Sequence, residues 1–560
     1  MFLRVQRNGS RQYLLIVENE RINGRIRQRV LHRLGRLDQL QQSGALDGLI
    51  ESMSRFSDKL AVLGAHHAGQ TETGAAVTLG PAMVFERLWQ QLQLPSILGQ
   101  LLAGRRFEFA VERAVFLTVL HRLCAPGSDR AAEQWRQDHR IEGTGTLALH
   151  HLYRAMAWLG EPLPDGDQVD ATLPRKALRC IKDVIEERLF ECRRDLLTDL
   201  SLAFFDTTSI YFEGEGGQTI GEYGFSKDHR PDRKQMVVGV VLAQDGTPIC
   251  SEQWPGNVSD VTTLLPVIRR LRERFGISRV CIVADRGMIS AETIRQIEQK
   301  QPDVKYILGA RMRSDREVRD VVLSWPGRYR EVHGPRTRSK DPSPLKVKDV
   351  RFEGDDGQQR RYIVCHNEEQ AAKDQADRET MVAALQDKLK HSPKALMGNK
   401  GYRRYVKAER QKMQLDDQKV KDEARFDGKW VLRTNWHEAD AEEVALRYKD
   451  LWMVESIFRT TKSILQTRPI YHRCDETIRG HVFCSFLALV LRKALEDRLS
   501  AAGTSPEWAE LLRDLEAIHE MPLRLGHKHY LLRTPARGAA AKALSACGLT
   551  PPPTLRELSE

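Results

Sequence analysis

Two short apolar runs, each closed by an aspartate, constrain this chain more than any other feature: Leu202-Ala-Phe-Phe-Asp206 and Val280-Cys-Ile-Val-Ala-Asp285. A run of four or five apolar residues that stops at a carboxylate suits a strand leaving a core and presenting an acidic group at the sheet's edge. The surrounding pattern agrees. Strand-like runs cover 202–212, 236–243 and 247–254, a helix follows over 260–275, then a strand over 279–285, a helix opening at Ser290 and a strand over 304–310. Three strands, then helix, strand, helix, strand is the order of an RNase H-like core, a mixed sheet flanked by helices.

The rest of the chain makes the whole a multidomain α+β protein. Residues 1–38 read as a β-hairpin, because two alternating runs flank Asn23-Gly24, a dipeptide suited to a tight turn. Residues 39–200 have helical spacing, as in VERAVFLTVLHRL (111–123) and HLYRAMAWLG (151–160). The segments 108–140 and 145–160 have room for a helix-turn-helix that reads DNA ends, and a purely structural bundle fits the same pattern. Residues 201–310 are the first part of the core. Residues 311–440 break the alternation with a Pro- and Arg-rich loop, short strands and charged helices, and read as an insertion. Residues 441–500 return to helices, and 501–560 form a C-terminal tail, loosely attached from Thr534 onward.

Composition narrows the class. Among 560 residues, 87 Lys and Arg against 76 Asp and Glu leave +11, which suits a polyanionic partner such as nucleic acid. Nine scattered cysteines form no C-x-x-C pair, so neither a disulfide framework nor a zinc site is expected, and a reducing cytoplasm is the natural compartment. No stretch approaches the ~18 apolar residues of a membrane span.

Two carboxylates at neighbouring strand ends make a cage for Mg²⁺ plausible, since that ion prefers oxygen ligands and needs few of them. A third acid, Glu455, lies in YKDLWMVESIFRTTK. Tyr448, Glu455 and Lys462 recur at i, i+7, about 20° apart around a helix, so the three share a face, with Arg459 beside them. Other polar groups read as ordinary. Asp228 and Asp232 fall in a charged, solvated loop (SKDHRPDRK), Asp260 resembles an N-cap, and His472 and His481 read as structural. The basic runs RTRSK and YRRYVK, the latter with Arg403 and Arg404, are candidates to track a DNA backbone.

The three acidic segments, the long interruption before the third, and the helix around Glu455 resemble the DDE transposases of bacterial insertion sequences, specifically insertion-sequence family 1634 of the family 4 superfamily. LGRLD, GNVSD, ADRGM, GNKGYRRYV, ARFDGKWVLRTN and IYHRCDETIRGH support the resemblance over nearly the whole chain. Tyr448, Glu455 and Lys462 match the superfamily signature Y-x2-R-x3-E-x6-K, whereas Leu451 occupies the Arg position. The resemblance implies Asp206, Asp285 and Glu455 as ligands of two Mg²⁺ or Mn²⁺ ions, with Tyr448 and Lys462 on DNA. It further implies cut-and-paste transposition between double-stranded element ends and target DNA, by a homodimer when the ends are paired. A nuclease or resolvase without strand transfer would use the same cage, and an inactive DNA-binding descendant would not need it.

Overall fold

The computed structural model describes the chain apart from residues 23–24, 55–56, 58–71, 165–177, 194–201, 278–279, 289, 337, 339–340, 355, 392–404, 410–411, 526–527 and 559–560. The fold divides into two compact units. One comprises Met1–Val84, Gln137–Arg140 and Thr504–Glu560, and the other Phe85–Arg136 and Ile141–Gly503.

In the first unit the N-terminus is a three-stranded antiparallel sheet of Phe2–Asn8, Arg11–Ile22 and Arg25–Arg36, one strand more than a hairpin. The Asn23-Gly24 turn lies outside the described residues. The C-terminal segment, expected as a loose tail, is ordered. Its strands His519–Leu525, Lys528–Arg533 and Leu555–Leu558 join Glu72–Thr73 and Val77–Thr78 in one sheet. The helix Gly538–Ala546 buries Ala539, Ala540, Ala543 and Leu544. That i, i+1, i+4, i+5 stripe is helical, but its small residues make it faint in sequence.

The second unit is built on a nine-stranded mixed sheet. Numbered along the chain, its strands are β1 (Leu202–Tyr211), β2 (Gln235–Ala243), β3 (Pro248–Pro255), β4 (Val280–Ala284), β5 (Val304–Gly309), β6 (Arg330–His333), β7 (Leu345–Glu353), β8 (Gln359–His366) and β9 (Lys429–Thr434). Their order is β6-β7-β8-β9-β5-β4-β1-β2-β3. Only β1, β4 and β5 are mutually parallel, and they are central. The strands within 311–440 therefore continue the core sheet, β9 pairing antiparallel with β5, so this segment is not a separate insertion body.

Both faces of the sheet are covered, which is why β2 is apolar almost without alternation and β1, though it carries Asp206, Thr207, Thr208 and Ser209, is buried along nearly its whole length. On one face Ala203, Phe205 and Ile282 pack with Leu264, Ile268, Ile294 and Ile297 from helices Leu264–Glu273 and Ala291–Lys300. On the other, Leu202, Phe204, Cys281 and Val283 pack with Val444, Val454 and Phe458. These last come from α1 (Ala441–Lys449) and α2 (Trp452–Arg459). The helix α3 (Asp475–Ala501) packs against helices Val111–Cys124 and Leu149–Leu159, and at Gly480 the Met156 carbonyl leaves no room for a Cβ. Val111–Cys124, considered above for DNA reading, is buried along nearly its whole length. Among the described residues, no helix is long and apolar enough to cross a membrane.

Candidate active site

Strand register places the first two carboxylates side by side. Phe205 lies opposite Ala284 in the parallel β1·β4 pair, so Asp206 and Asp285 follow at the same level. Side chains alternate along a strand, and Asp206 shares its face with Leu202 and Phe204, Asp285 with Cys281 and Val283. Both therefore point toward the face covered by α1 and α2.

Tyr448, near the end of α1, donates its hydroxyl to Asp285 Oδ1 at 3.1 Å. Gly309 makes room for this. It stands one residue beyond the pairing of Leu308 with Ala284, and a Cβ there would lie 2.5 Å from Tyr448 Oη. Burial and the adjoining Asp285 carboxylate raise the Tyr448 pKa, so the hydroxyl keeps its proton and serves as a donor.

Asp206 is pushed up to about 6, mainly by burial and further by the Asp285 and Asp260 carboxylates, against the opposing pull of Lys227. Lys227 and Asp260 belong to an arrangement that the sequence reading missed. Lys227 Nζ donates to the Thr207 carbonyl (2.7 Å) and Thr207 Oγ1 (2.9 Å) and pairs with Asp260 Oδ2 (3.1 Å). Thr207 Oγ1 in turn donates to Asp260 Oδ1 at 2.7 Å. Asp260 is thus no N-cap side chain: it opens the short 3₁₀ turn Asp260–Thr262, and its carboxylate faces Thr207 in the middle of β1. A signal for this was available in Thr207, Thr208 and Ser209, three hydroxyl residues inside a strand buried on both faces, whose polar atoms need partners. Lys227, in the loop after β1, and Asp260 supply them for Thr207, and Ser209 Oγ receives the Lys227 backbone N–H at 2.8 Å.

Asp228, expected in solvent, is buried, with a side chain 5% exposed, and pairs with Lys462 (2.7 Å) and Arg468 (2.6 Å). Asp232 does lie at the surface, paired with Arg230.

The segment around Glu455 is not one regular helix. It comprises α1, a break at Asp450–Leu451, α2 and a π turn over Thr460–Ile464. Glu455 is exposed on α2, with Trp452 and Arg459 also exposed at the i−3 and i+4 positions of that helix. The break and the π turn change the phase that a uniform helix would give Tyr448, Glu455 and Lys462. Tyr448 meets Asp285 and Lys462 meets Asp228. The carboxylates of Asp206, Asp285 and Glu455 do not all come within 4.8 Å of one another. Leu451, at the signature's Arg position, is a core residue packed with Val454 and Phe458. Arg403 and Arg404 lie outside the described residues.

Among the described residues, the one cluster of metal-ligand type with its atoms within 4.8 Å is Asp129, His472 and His481. Its hydrogen bonds argue against a cation. Arg122 can only donate, and its Nη2 lies 2.8 Å from His481 Nδ1, so that nitrogen accepts and Nε2 donates to the Thr467 carbonyl at 3.1 Å. Burial and Arg122 hold His481 far below its ordinary pKa, hence neutral, and an ion on Nδ1 would meet a guanidinium. The cluster ties the segment 467–472 to α3, as the structural reading of both histidines expected.

A model of the transposase DDE domain matches residues 198–491, more than half of the chain, and one of the N-terminal domain of IS1634 family transposases matches residues 3–67. The chain belongs to the DDE transposases, and within them to the IS1634 family. A search of curated protein sequences finds no match. Among solved structures, a piggyBac transposase synaptic complex with hairpin DNA is similar at 10% identity and a TM-score of 0.35, over 78% of this chain and 79% of the other.

Proposed function

We propose that this transposase binds the terminal inverted repeats of its own element, cuts the DNA at each end and joins the freed 3′-OH to target DNA. The observation that carries this is the level pair Asp206 and Asp285 on parallel β1 and β4, beneath the helices that bear Tyr448 and Glu455. The central strands and their flanking helices are read here as an RNase H-like core.

The residues present fit a divalent metal site. Their donors are carboxylate oxygens, the set that Mg²⁺ and Mn²⁺ prefer, and burial, with a smaller push from the Asp285 and Asp260 carboxylates, disfavours the bare charge on Asp206 that a cation would offset. Asp206 and Asp285 would hold the cations and Glu455 would complete the set. When bound, two such ions polarise the attacking and leaving oxygens of a phosphodiester. Tyr448 orients Asp285, and Lys227 balances charge beside Asp206. In cleavage a water oxygen bonds to phosphorus, the bond to the 3′ oxygen breaks, and that oxygen takes up a proton. In joining, the 3′-OH loses its proton and its oxygen bonds to a target phosphorus, the target's own bond from phosphorus to its 3′ oxygen breaks, and that released oxygen takes up a proton. No side chain becomes a nucleophile, consistent with a site made of carboxylates, one lysine and one tyrosine. Pairing of two ends implies at least a dimer on DNA, and a bacterial cytoplasm is the expected place of action.

The test is cleavage and joining of element-end duplexes with Mg²⁺ or Mn²⁺ by wild type and by Asp206→Ala, Asp285→Ala and Glu455→Ala. Each variant is expected to lose both reactions. Near-normal turnover in any of them strikes that residue from the site, and cleavage without joining in the wild type marks a nuclease instead.

A further inference from the structure

Asp228 is buried, yet it meets two cations on one oxygen. Lys462 and Arg468 both pair with Oδ1, while Oδ2 is enclosed without a hydrogen-bond partner. Two positive charges against one negative charge leave an excess of +1, and the side chains are 12% (Lys462) and 29% (Arg468) exposed. Arg468 also lies over the Tyr211 ring, 5.8 Å from its centroid. Arg230 lies 5.2 Å from the same centroid, but its fork is bound bidentately by Asp232. Arg468 uses one of its terminal nitrogens on Asp228, so the planar group keeps donors for a second anion.

The residues around it are held before any ligand arrives. Thr467 accepts from His481 and donates to Ser485 Oγ at 2.8 Å, which anchors Arg468's neighbour to α3. Asp228 follows Lys227 directly, and Lys227 is bonded to Thr207 beside Asp206. The basic pair therefore meets the residue that follows Lys227, whose ammonium bonds Thr207, the neighbour of Asp206 along its strand.

We infer that Lys462 and Arg468 together form a site for a single DNA backbone phosphate next to the scissile one, with buried Asp228 as the positioning residue that holds both cations. The inference rests on the transposase reading above and assigns Arg468 and Asp228 to DNA binding. A phosphate is the fitting ligand because a guanidinium fork and an ammonium converge on a local positive excess, the arrangement that recognises phosphate oxygens.

The experiment measures affinity for a fluorescein-labelled DNA duplex by anisotropy across a salt series, with Ca²⁺ replacing Mg²⁺ to suppress cutting. The log–log salt slope counts neutralised phosphates at about 0.9 each. The double variant Lys462→Ala/Arg468→Ala is expected to lose about 0.9 of slope, one phosphate's worth, with Arg468→Lys retaining most of it. A loss near 1.8 shows two separate phosphates and overturns the shared site, as does an unchanged slope. Should the double variant fail to fold by circular dichroism, Arg468→Gln alone decides: weaker binding with a shallower slope supports the site, and wild-type binding removes it. Failure of the functional reading looks different, since a wild type with no salt-dependent DNA binding overturns that reading and this site together.

Discussion

Asp206 is stable only at a disadvantage. Its carboxyl is raised to about 6 from the ordinary 3.8, first by burial, so the ionised form that chemistry needs is the one the fold disfavours. The sign follows from linkage: its contribution to stability is full below about pH 4 and is lost as pH rises through about 6. Asp206→Asn is therefore expected to raise the melting temperature of the cation-free protein at pH 8, with the gain shrinking toward pH 4.5 in a thermal-melt series. An equal gain at both ends would show that the carboxylate is not strained. Gly309 gives a second prediction. Gly309→Ala sets a methyl 2.5 Å from Tyr448 Oη and should sharply reduce cleavage. Combined with Tyr448→Phe, which deletes that oxygen, the loss should be less than the sum of the two single losses. Strict additivity would mean the clash is with the Arg286 backbone, 3.0 Å away, instead.

At the scale of elements, one buried ionic knot locks helix Ile181–Arg193 to the sheet. Arg270 bonds Glu186 and Glu252 at 2.6 Å and Asp183 at 2.9 Å, while Lys182 bonds Asp183 at 2.8 Å and the Ser251 carbonyl at 3.0 Å. Removing one cation strands buried carboxylates, so Arg270→Ala should cost about 3–5 kcal/mol in urea unfolding, against much less for exposed Arg295→Ala. The same network explains what sequence could and could not disclose. The strands from Leu202 to Gly309 were legible because a sheet covered on both faces writes uninterrupted apolar runs, and the two aspartates were legible as the ends of those runs. Buried charges such as Arg270 and Asp228 were not, because a lysine or aspartate in a string looks solvated until its partner, remote along the chain, is known. Asp228 and Lys462 are 234 residues apart. The π turn and the break at Leu451 escaped for a related reason: periodicity reports an apolar face but not a local change of winding. In the first unit, Leu79 N–H donates to Ile518 O at 2.8 Å and Gly80 N–H to the same oxygen at 3.4 Å. Ending the chain at Gly503 should strip hydrogen-exchange protection from both amides, and retained protection would show that the C-terminal segment is dispensable there.

Over the whole molecule, a net charge of +11 accompanies a site in which Asp206 and Asp285 stand at one level of the sheet, the combination that the proposed phosphodiester chemistry would use. The sheet order has a consequence for synthesis. β5 is central, but its partner β9 lies 429 − 309 = 120 residues downstream. At roughly 5–20 residues per second, the ribosome takes about 6–24 s to cover that distance. For that interval a nascent chain already holding β1, β4 and β5 leaves the outer edge of β5 open, the kind of edge on which chains stick to one another. Glu455 arrives later still. The helices α1 and α2, which cover one face of the sheet, also leave the tunnel only after β9, so a truncated or stalled chain exposes both that edge and that face.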